Sequence, residues 1–201
     1  MTNKTSVGLM GGTFDPIHFG HLAAAEEACF RFRLGEVVFI PAGRPPHKED
    51  RQLTDQEHRF EMTRLALADN SHFSVSRIEI DNPDLSYTID TIYALKAAHP
   101  EVAQYYFITG ADAVLDILSW KQPLHLARQC HIIAATRPGY DLATFRSKVG
   151  EQLANLIEIL PVPGVSVSST EIRRRIKDDA PVRYLLPDSV IDYIAAHRLY
   201  R

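Results

Sequence analysis

Two histidines three residues apart stand beside a pair of glycines near the start of the sequence. The segment Gly11–His21 reads Gly-Gly-Thr-Phe-Asp-Pro-Ile-His-Phe-Gly-His. Residues three apart on a helix project from the same face, so His18 and His21 can both donate hydrogen bonds to phosphate oxygens. Such a pair alone would also fit a metal site or two surface histidines at a helix start. The glycines favour a phosphate, because they let the backbone approach a ligand closely.

A phosphate-binding turn of this kind needs a strand before it and a helix after it, and the flanking residues predict both. The apolar run Ser6–Met10 is typical of a buried strand. After the turn, Leu22, Ala25 and Cys29 fall on one helical stripe. We expect this helix to begin near His18, so that the positive end of its dipole lies at the turn.

Strand patterns and helix patterns alternate along the rest of the chain. The strand candidates are continuous apolar runs, which are typical of strands covered on both faces. This alternation predicts an α/β fold, namely a doubly wound, Rossmann-like parallel sheet with helices on both faces and a helical C-terminal portion from about residue 168. The predicted strands are Ser6–Met10, Glu36–Pro41, Phe73–Ile78, Tyr105–Thr109, His131–Ala135 and Leu156–Leu160.

Three further segments bear on the ligand. The loop Pro41–Lys48 is rich in proline and basic residues, and it follows the second predicted strand, at the edge where open α/β sheets bind ligands. Thr54–Glu57 and Ser168–Glu171 both read as capping boxes, with the first residue as the N-cap of a helix. A helix start can also bind an anion, so the second capping box is a candidate phosphate contact.

Composition excludes several classes of protein. The 201 residues are 45% hydrophobic and 23% charged with a net charge of −3, which predicts one globular domain spanning 1–201. No apolar run approaches the length of a membrane helix, no secretory signal is visible, and no basic surface suggests a nucleic-acid partner. Cys29 and Cys130 lack disulfide or metal spacing, so we expect a cytoplasmic protein with no metal ligands of its own. A homo-oligomer is compatible with the sequence.

The common nucleotide-binding loops are absent from the sequence. There is no G-x-G-x-x-G, and no acidic residue follows the second strand at Phe39–Ala42 to hold a ribose. There is no G-x-x-x-x-G-K either. These absences disfavour a dinucleotide-dependent dehydrogenase and a P-loop nucleotidase.

The glycine–histidine segment resembles the signature of the H-x-G-H nucleotidyltransferase superfamily. Within it, the chain is similar to the bacterial nicotinate-nucleotide adenylyltransferases, also called deamido-NAD pyrophosphorylases. The resemblance extends over most of the chain, and its least distinctive part lies between Arg137 and Ser168. The supporting stretches are Pro45–Lys48, Ser86–Thr88, Ile108–Asp112, Trp120, Thr136–Gly139 and Ser168–Arg173.

This resemblance implies transfer of AMP from ATP to nicotinate mononucleotide, which gives deamido-NAD and pyrophosphate in NAD biosynthesis. The phosphate of the mononucleotide would attack the α-phosphorus in line, so the enzyme needs no nucleophile. Catalysis would then consist of positioning the substrates and stabilising charge on the phosphoryl groups. Mg²⁺ carried with ATP is the expected cofactor, with few ligands from the protein.

The resemblance also implies the residues that bind each substrate. His18 and His21 are the expected catalytic residues at the phosphates, and Thr13 steadies the same region. The expected ATP-binding residues are Gly11, Gly12, Thr13, Phe14, His18, His21, Gly110, Asp112, Arg137, Ser168, Ser169, Thr170 and Arg173. The expected mononucleotide-binding residues are Lys48, Ser86, Tyr87, Thr88 and Trp120, with the pyridine ring stacked on the tryptophan.

Several of these assignments have an ordinary structural alternative. Trp120 could fill the core between Leu118 and Leu124, and Lys48 and Arg137 could be solvated loop residues. The alternative activities are adenylylation of nicotinamide mononucleotide or of both mononucleotides, a sister reaction such as phosphopantetheine adenylylation, and, in another class, a catalytically silent nucleotide sensor. His18 argues against the phosphopantetheine enzymes, which the resemblance associates with threonine at that position.

Overall fold

A computed structural model describes residues 3–46, 53–136, 142–164 and 166–201. Within these residues, parallel strands form a six-stranded sheet of order β3-β2-β1-β4-β5-β6. The order reverses between β1 and β4, which are neighbours in the sheet. The strands are β1 Asn3–Gly12, β2 Leu34–Pro41, β3 Phe73–Val75, β4 Gln104–Gly110, β5 His131–Thr136 and β6 Ile157–Pro161.

Helices connect the strands and form the C-terminal portion. The helices are α1 Phe19–Phe32, α2 Gln56–Leu67, α3 Thr88–Ala98, α4 Ala111–Val114, α5 Pro123–Gln129, α6 Leu142–Val149, α7 Glu151–Ala154, α8 Ser169–Lys177 and α9 Asp188–His197, with a 3₁₀ turn at Ile117–Ser119. The predicted doubly wound parallel sheet with helices on both faces is thereby confirmed, as are the helices after residue 168.

Each face of the sheet carries its own buried cluster. Consecutive strand residues alternate between the two clusters, as Leu9 and Met10 do in β1 and Phe107 and Ile108 do in β4. Both members of each pair are buried, which explains the continuous apolar runs in the sequence. The rigid sheet therefore fixes the carboxyl ends of β1 and β4 next to each other, where the strand order reverses and open α/β sheets bind ligands.

The start of α1 lies near His18, as predicted. His18 is the N-cap of the helix and has an extended backbone, and the helix itself begins at Phe19. The two histidines still lie side by side, because the N-cap residue sits at the entrance of the first turn.

Several element boundaries differ from the predicted ones. The third strand ends at Val75, before the predicted Ile78. The second helix takes Asp55 as its N-cap, in place of Thr54, because the Asp55 carboxylate accepts a hydrogen bond from the Glu57 amide at 2.8 Å. Ser168 is the N-cap of α8, as predicted, and accepts from the Glu171 amide at 3.2 Å.

No helix among the described residues has both the length and the apolar character needed to cross a bilayer.

Candidate active site

Two cavities open at the carboxyl edge of the sheet, and the end of β1 lies between them. The first has a volume of about 360 Å³ and the second about 730 Å³. Gly11, Gly12, Thr13, Thr109 and Ala113 line both cavities. The glycine turn and the end of β4 therefore form a shared wall at the boundary of the two cavities. Ligands in the two cavities would meet beside this wall.

The second cavity brings together most of the residues that the sequence assigns to ATP. The histidine pair comes from the start of α1, and Ser168–Thr170 come from the start of α8. Helix α1 starts at this cavity, so the positive end of its dipole favours an anion there. The expected ATP-binding residues that line this cavity are Gly11, Gly12, Thr13, His18, His21, Gly110, Asp112, Ser168, Ser169 and Thr170.

The two histidine rings are stacked on each other. Their centroids lie 3.7 Å apart with an interplanar angle of 16°. The backbone amide of His18 donates to Nδ1 of His21 at 3.3 Å. In a neutral His21 this bond places the proton on Nε2, which can then donate to a phosphate oxygen. A Cβ at Gly20 would lie 3.1 Å from the His18 ring, so the glycine permits this close stacking.

The start of α8 is bonded directly to the glycine–histidine segment. The Ser169 hydroxyl donates to the carbonyl of Pro16 at 2.9 Å. The Arg173 guanidinium donates to the carbonyl of Asp15 at 2.6 Å and to the Thr170 hydroxyl at 3.4 Å. These bonds explain how residues separated by about 150 positions form one wall, since the sequence separation of Ser169 and Pro16 is 153.

The arginines of α8 differ in their partners. Arg174 pairs with Glu171 at 2.8 Å and Asp178 at 2.9 Å, and Arg175 pairs with Glu171 at 2.8 Å. These arginines hold the pKa of the Glu171 carboxyl down at about 2. Arg173 makes no carboxylate pair among the described residues, so its positive charge is not neutralised by a neighbour.

Phe14 and Arg173 lie beside the second cavity but do not line it. Phe14 is only 2% exposed, and its ring packs edge-on against His21 with centroids 5.1 Å apart. It holds a positive φ of 51°, an unfavourable conformation for a bulky side chain. Burial of the ring offsets that cost, and the ring packs against His21.

The first cavity brings together the expected mononucleotide-binding residues within the described chain, namely Ser86, Tyr87, Thr88 and Trp120. Trp120 is partly buried and packs edge-on against Phe107, with centroids 5.9 Å apart. The side chain of Trp120 thus packs against the core and also lines the cavity, and its stacking on a pyridine ring stays a prediction. Tyr87 is the N-cap of α3 and caps it with no side-chain hydrogen bond.

Glu79 lines the first cavity and was missed at the sequence level. It accepts hydrogen bonds from the hydroxyls of Thr91, at 2.7 Å, and Ser86, and from the backbone amide of Gly43. Burial raises the pKa of this carboxyl, and the hydrogen bonds oppose the rise. A Cβ at Gly43 would lie 2.0 Å from the Glu79 carbonyl, so only glycine allows this approach. In the sequence, Glu79 lies between two isoleucines, a pattern that is typical of a strand residue facing solvent.

A buried arginine lies beneath the shared wall and was also missed. Arg59 is 2% exposed, and its guanidinium donates to the carbonyls of Thr54 at 2.9 Å, Thr13 at 2.9 Å and Gly43 at 3.3 Å. It therefore joins the glycine turn to the loop after β2. Burial lowers its pKa. The sequence does indicate the burial of Arg59, because Arg59 lies three residues before Met62 and therefore on the apolar face of α2.

Asp15, within the glycine–histidine segment, is hydrogen-bonded by a tyrosine that follows α9. Its carboxylate accepts from the Tyr200 hydroxyl at 2.7 Å and from the Thr54 amide at 3.4 Å, and the residue is 5% exposed. Burial and the neighbouring Asp15 raise the pKa of the Tyr200 hydroxyl. Asp15 therefore supports the turn from below and does not face the second cavity.

Lys48 and Arg137 lie outside the described residues, so their expected contacts stay predictions. Among the described residues no group of three His, Cys, Asp or Glu side chains could hold a metal ion. Asp112 is the carboxylate that lines the second cavity. A divalent cation there would fit as part of a nucleotide complex, held mainly by phosphate oxygens.

The chain is a nucleotidyltransferase of the cytidylyltransferase-like class, as its match to a family model shows. Residues 9–175 match the family model described as cytidylyltransferase-like. Two solved structures of a nicotinic acid mononucleotide adenylyltransferase from Plasmodium falciparum share the fold. The one complexed with NaAD has a TM-score of 0.78 at 21% identity over 98% of both chains. The one complexed with APC has 0.76 at 20% identity over 97% of this chain and 96% of that one.

Similar curated proteins identify a more specific family within this class. A "probable nicotinate-nucleotide adenylyltransferase" of Moorella thermoacetica is 49% identical over 204 residues, covering 100% of this chain and 94% of the relative. A protein of the same description from a Thermoanaerobacter species is 48% identical, covering 100% of this chain and 97% of the relative. The chain belongs to the nicotinate-nucleotide adenylyltransferase family.

Proposed function

We propose that this chain transfers AMP from ATP to nicotinate mononucleotide, releasing nicotinate adenine dinucleotide (deamido-NAD) and pyrophosphate. The observation that carries the proposal is the pair of cavities that share the Gly11–Thr13 wall. A two-substrate phosphoryl transfer needs two nucleotide sites whose reacting phosphates meet, and this wall is the place where they would. The family membership supports the same reaction.

ATP occupies the second cavity in this proposal. His18 and His21 donate hydrogen bonds to the phosphates from the start of α1, and Ser168–Thr170 contact them from the start of α8. Arg173 holds the outer phosphates through its unneutralised guanidinium. Gly110 and Asp112 lie at the ribose. Phe14 acts by supporting His21, with which it is in ring contact.

The mononucleotide occupies the first cavity, where its pyridine ring stacks on Trp120. An aromatic face suits a flat heterocycle, and base-on-aromatic stacking contributes about 1–3 kcal/mol. Ser86, Tyr87 and Thr88 line the same cavity, and Lys48 contacts the phosphate. Because the N-terminus of α3 carries no side-chain cap, its backbone amides are suitable donors to an acid group on the ring.

The reaction needs no covalent intermediate with the protein. A phosphate oxygen of the mononucleotide forms a bond to the α-phosphorus of ATP while the bond from that phosphorus to the bridging oxygen of pyrophosphate breaks. Negative charge grows on the leaving pyrophosphate, so the histidines and Arg173 bind the transition state more strongly than ATP itself. Substrate positioning by the shared wall supplies the in-line geometry.

Mg²⁺ enters as the complex with ATP, where it neutralises phosphate charge. We further propose that residues 1–201 act as one domain in the cytoplasm. The cysteines support a reducing compartment, since neither of them is paired.

The test is a pyrophosphate-release assay with MgATP and each of three acceptors, nicotinate mononucleotide, nicotinamide mononucleotide and phosphopantetheine. We expect the nicotinate substrate to give the highest kcat/KM. Removal of one charge-stabilising donor costs roughly 10²–10³ in turnover, so His21→Ala should remain folded by circular dichroism and lose activity by that factor. Release of pyrophosphate with phosphopantetheine alone would contradict the proposal and indicate the sister enzyme. Binding of nucleotides without release of pyrophosphate would indicate the nucleotide sensor.

A further inference from the structure

Among the described residues, the lining of the first cavity has more acidic than basic side chains. Glu79 and Asp116 line this cavity, and nicotinate mononucleotide would add the carboxylate of its ring. A carboxylate brought near other acids is destabilised unless a cation compensates. Among the lining residues that the structure describes, Lys121 is the one cation.

Lys121 is held at the start of α3, on the side of the cavity formed by Tyr87 and Thr88. Its ammonium lies 2.7 Å from one carboxylate oxygen of Asp90 and 3.1 Å from the other. It also lies 4.8 Å from the centroid of the Tyr87 ring, in a cation–π contact. Lys121 directly follows Trp120, so the expected stacking residue and the cation belong to one short loop.

The ion pair with Asp90 is weak enough to be exchanged for a substrate group. Both side chains are exposed, by 41% for Lys121 and 49% for Asp90. Exposed pairs contribute about 0–1 kcal/mol, because water screens them and ordering the side chains costs entropy. A carboxylate on a ring stacked against Trp120 can therefore compete with Asp90 for the ammonium.

We infer that Lys121 is a specificity-determining residue, whose ammonium selects the acid mononucleotide over its neutral amide, and that Asp90 restrains it in the empty cavity. The inference rests on the proposed function, because it assigns the pyridine ring to the first cavity. The acid has a charge for the ammonium to bind and the amide has none. The phosphate is common to both substrates, so a contact between Lys121 and the phosphate would not discriminate between them.

The experiment compares Lys121→Met with wild type and with Lys96→Met. Methionine keeps an unbranched side chain of similar length and removes the charge. Lys96 lies on the same helix as Asp90, bonds the Gln129 side chain at 3.0 Å and does not line the cavity, so it is a matched control. The measured quantity is kcat/KM for nicotinate mononucleotide divided by kcat/KM for nicotinamide mononucleotide.

We expect Lys121→Met to lower this ratio about twofold to fivefold at low salt, with the loss falling on the acid substrate. Asp90→Asn frees the ammonium and should raise the ratio, whereas Lys96→Met should leave it unchanged. Added salt should lower the wild-type ratio and not that of Lys121→Met, because the lost interaction is between charges.

Binding in the absence of ATP gives a second readout. Quenching of the single tryptophan by each mononucleotide should show the same shift in the ratio of Kd values. Equal losses for both substrates in Lys121→Met, or an unchanged ratio, would overturn the inference while leaving the proposed function intact. A wild-type enzyme that adenylylates neither mononucleotide would remove the proposed function and this inference with it.

Discussion

Replacement of Tyr200 by phenylalanine removes one hydroxyl from beneath the catalytic turn. That hydroxyl donates to Asp15 at 2.7 Å, and the other oxygen of the carboxylate accepts from the Thr54 amide at the longer distance of 3.4 Å. A hydrogen bond to a charged group contributes about 1.5–3 kcal/mol. Because Asp15 is 5% exposed, water cannot replace the lost donor well, and we expect a loss near the upper end, about 2–3 kcal/mol.

The assay is urea unfolding at equilibrium, with thermal unfolding as a second measure. For a chain of this size, about 1 kcal/mol shifts Tm by roughly 2–4 °C, so we expect Tm to fall by roughly 4–12 °C. Tyr184→Phe is the matched control, since this side chain is 79% exposed, and its free energy of unfolding should change by less than about 0.5 kcal/mol.

A double-mutant cycle with Asp15→Ala isolates the bond itself. If Tyr200 acts through Asp15, the two changes should be coupled by about 1.5–3 kcal/mol. Additive effects, or a loss in Tyr200→Phe no greater than in Tyr184→Phe, would refute the reasoning, and the ring of Tyr200 would then act only as packing.

Two predictions concern charged residues near the cavities. Arg173→Lys keeps the charge but loses the planar fork, so kcat should fall and the KM for ATP should rise, whereas Arg174→Lys should behave like wild type; equal kinetics in both would refute the phosphate contact. Because burial raises the pKa of Glu79 above its ordinary value of 4.5, ionisation costs stability as pH rises above that value. In urea unfolding, the free energy of unfolding of Glu79→Gln should therefore rise relative to that of wild type between about pH 4 and pH 7. A difference in free energy that does not change with pH would contradict this.

The sheet and most of the residues that line the cavities were predictable, because neighbouring residues in the sequence indicate each strand and each helix start. The apolar runs at Ser6–Met10 and Tyr105–Thr109 define buried parallel strands, and their carboxyl ends place Gly11–Thr13 beside Gly110. Helix starts are also local, which is why the capping role of Ser168 was predictable.

The residues that escaped prediction make contacts over long sequence distances. Tyr200 bonds Asp15 across 185 positions, and Arg59 bonds Thr13 across 46. No local pattern records such a pairing, because a buried arginine or a C-terminal tyrosine looks in the sequence like any exposed polar residue.

The shared wall between the two cavities has a consequence for the end of the catalytic cycle. Each substrate fills one cavity, whereas the dinucleotide product spans both and keeps the adenine-side and pyridine-side contacts at once. Joining two bound fragments removes the entropic cost of holding the second one, so the product should dissociate more slowly than either substrate. Departure of the dinucleotide, rather than bond formation, would then limit turnover, and a non-hydrolysable molecule of the same span would inhibit the enzyme more strongly than an analogue of either half.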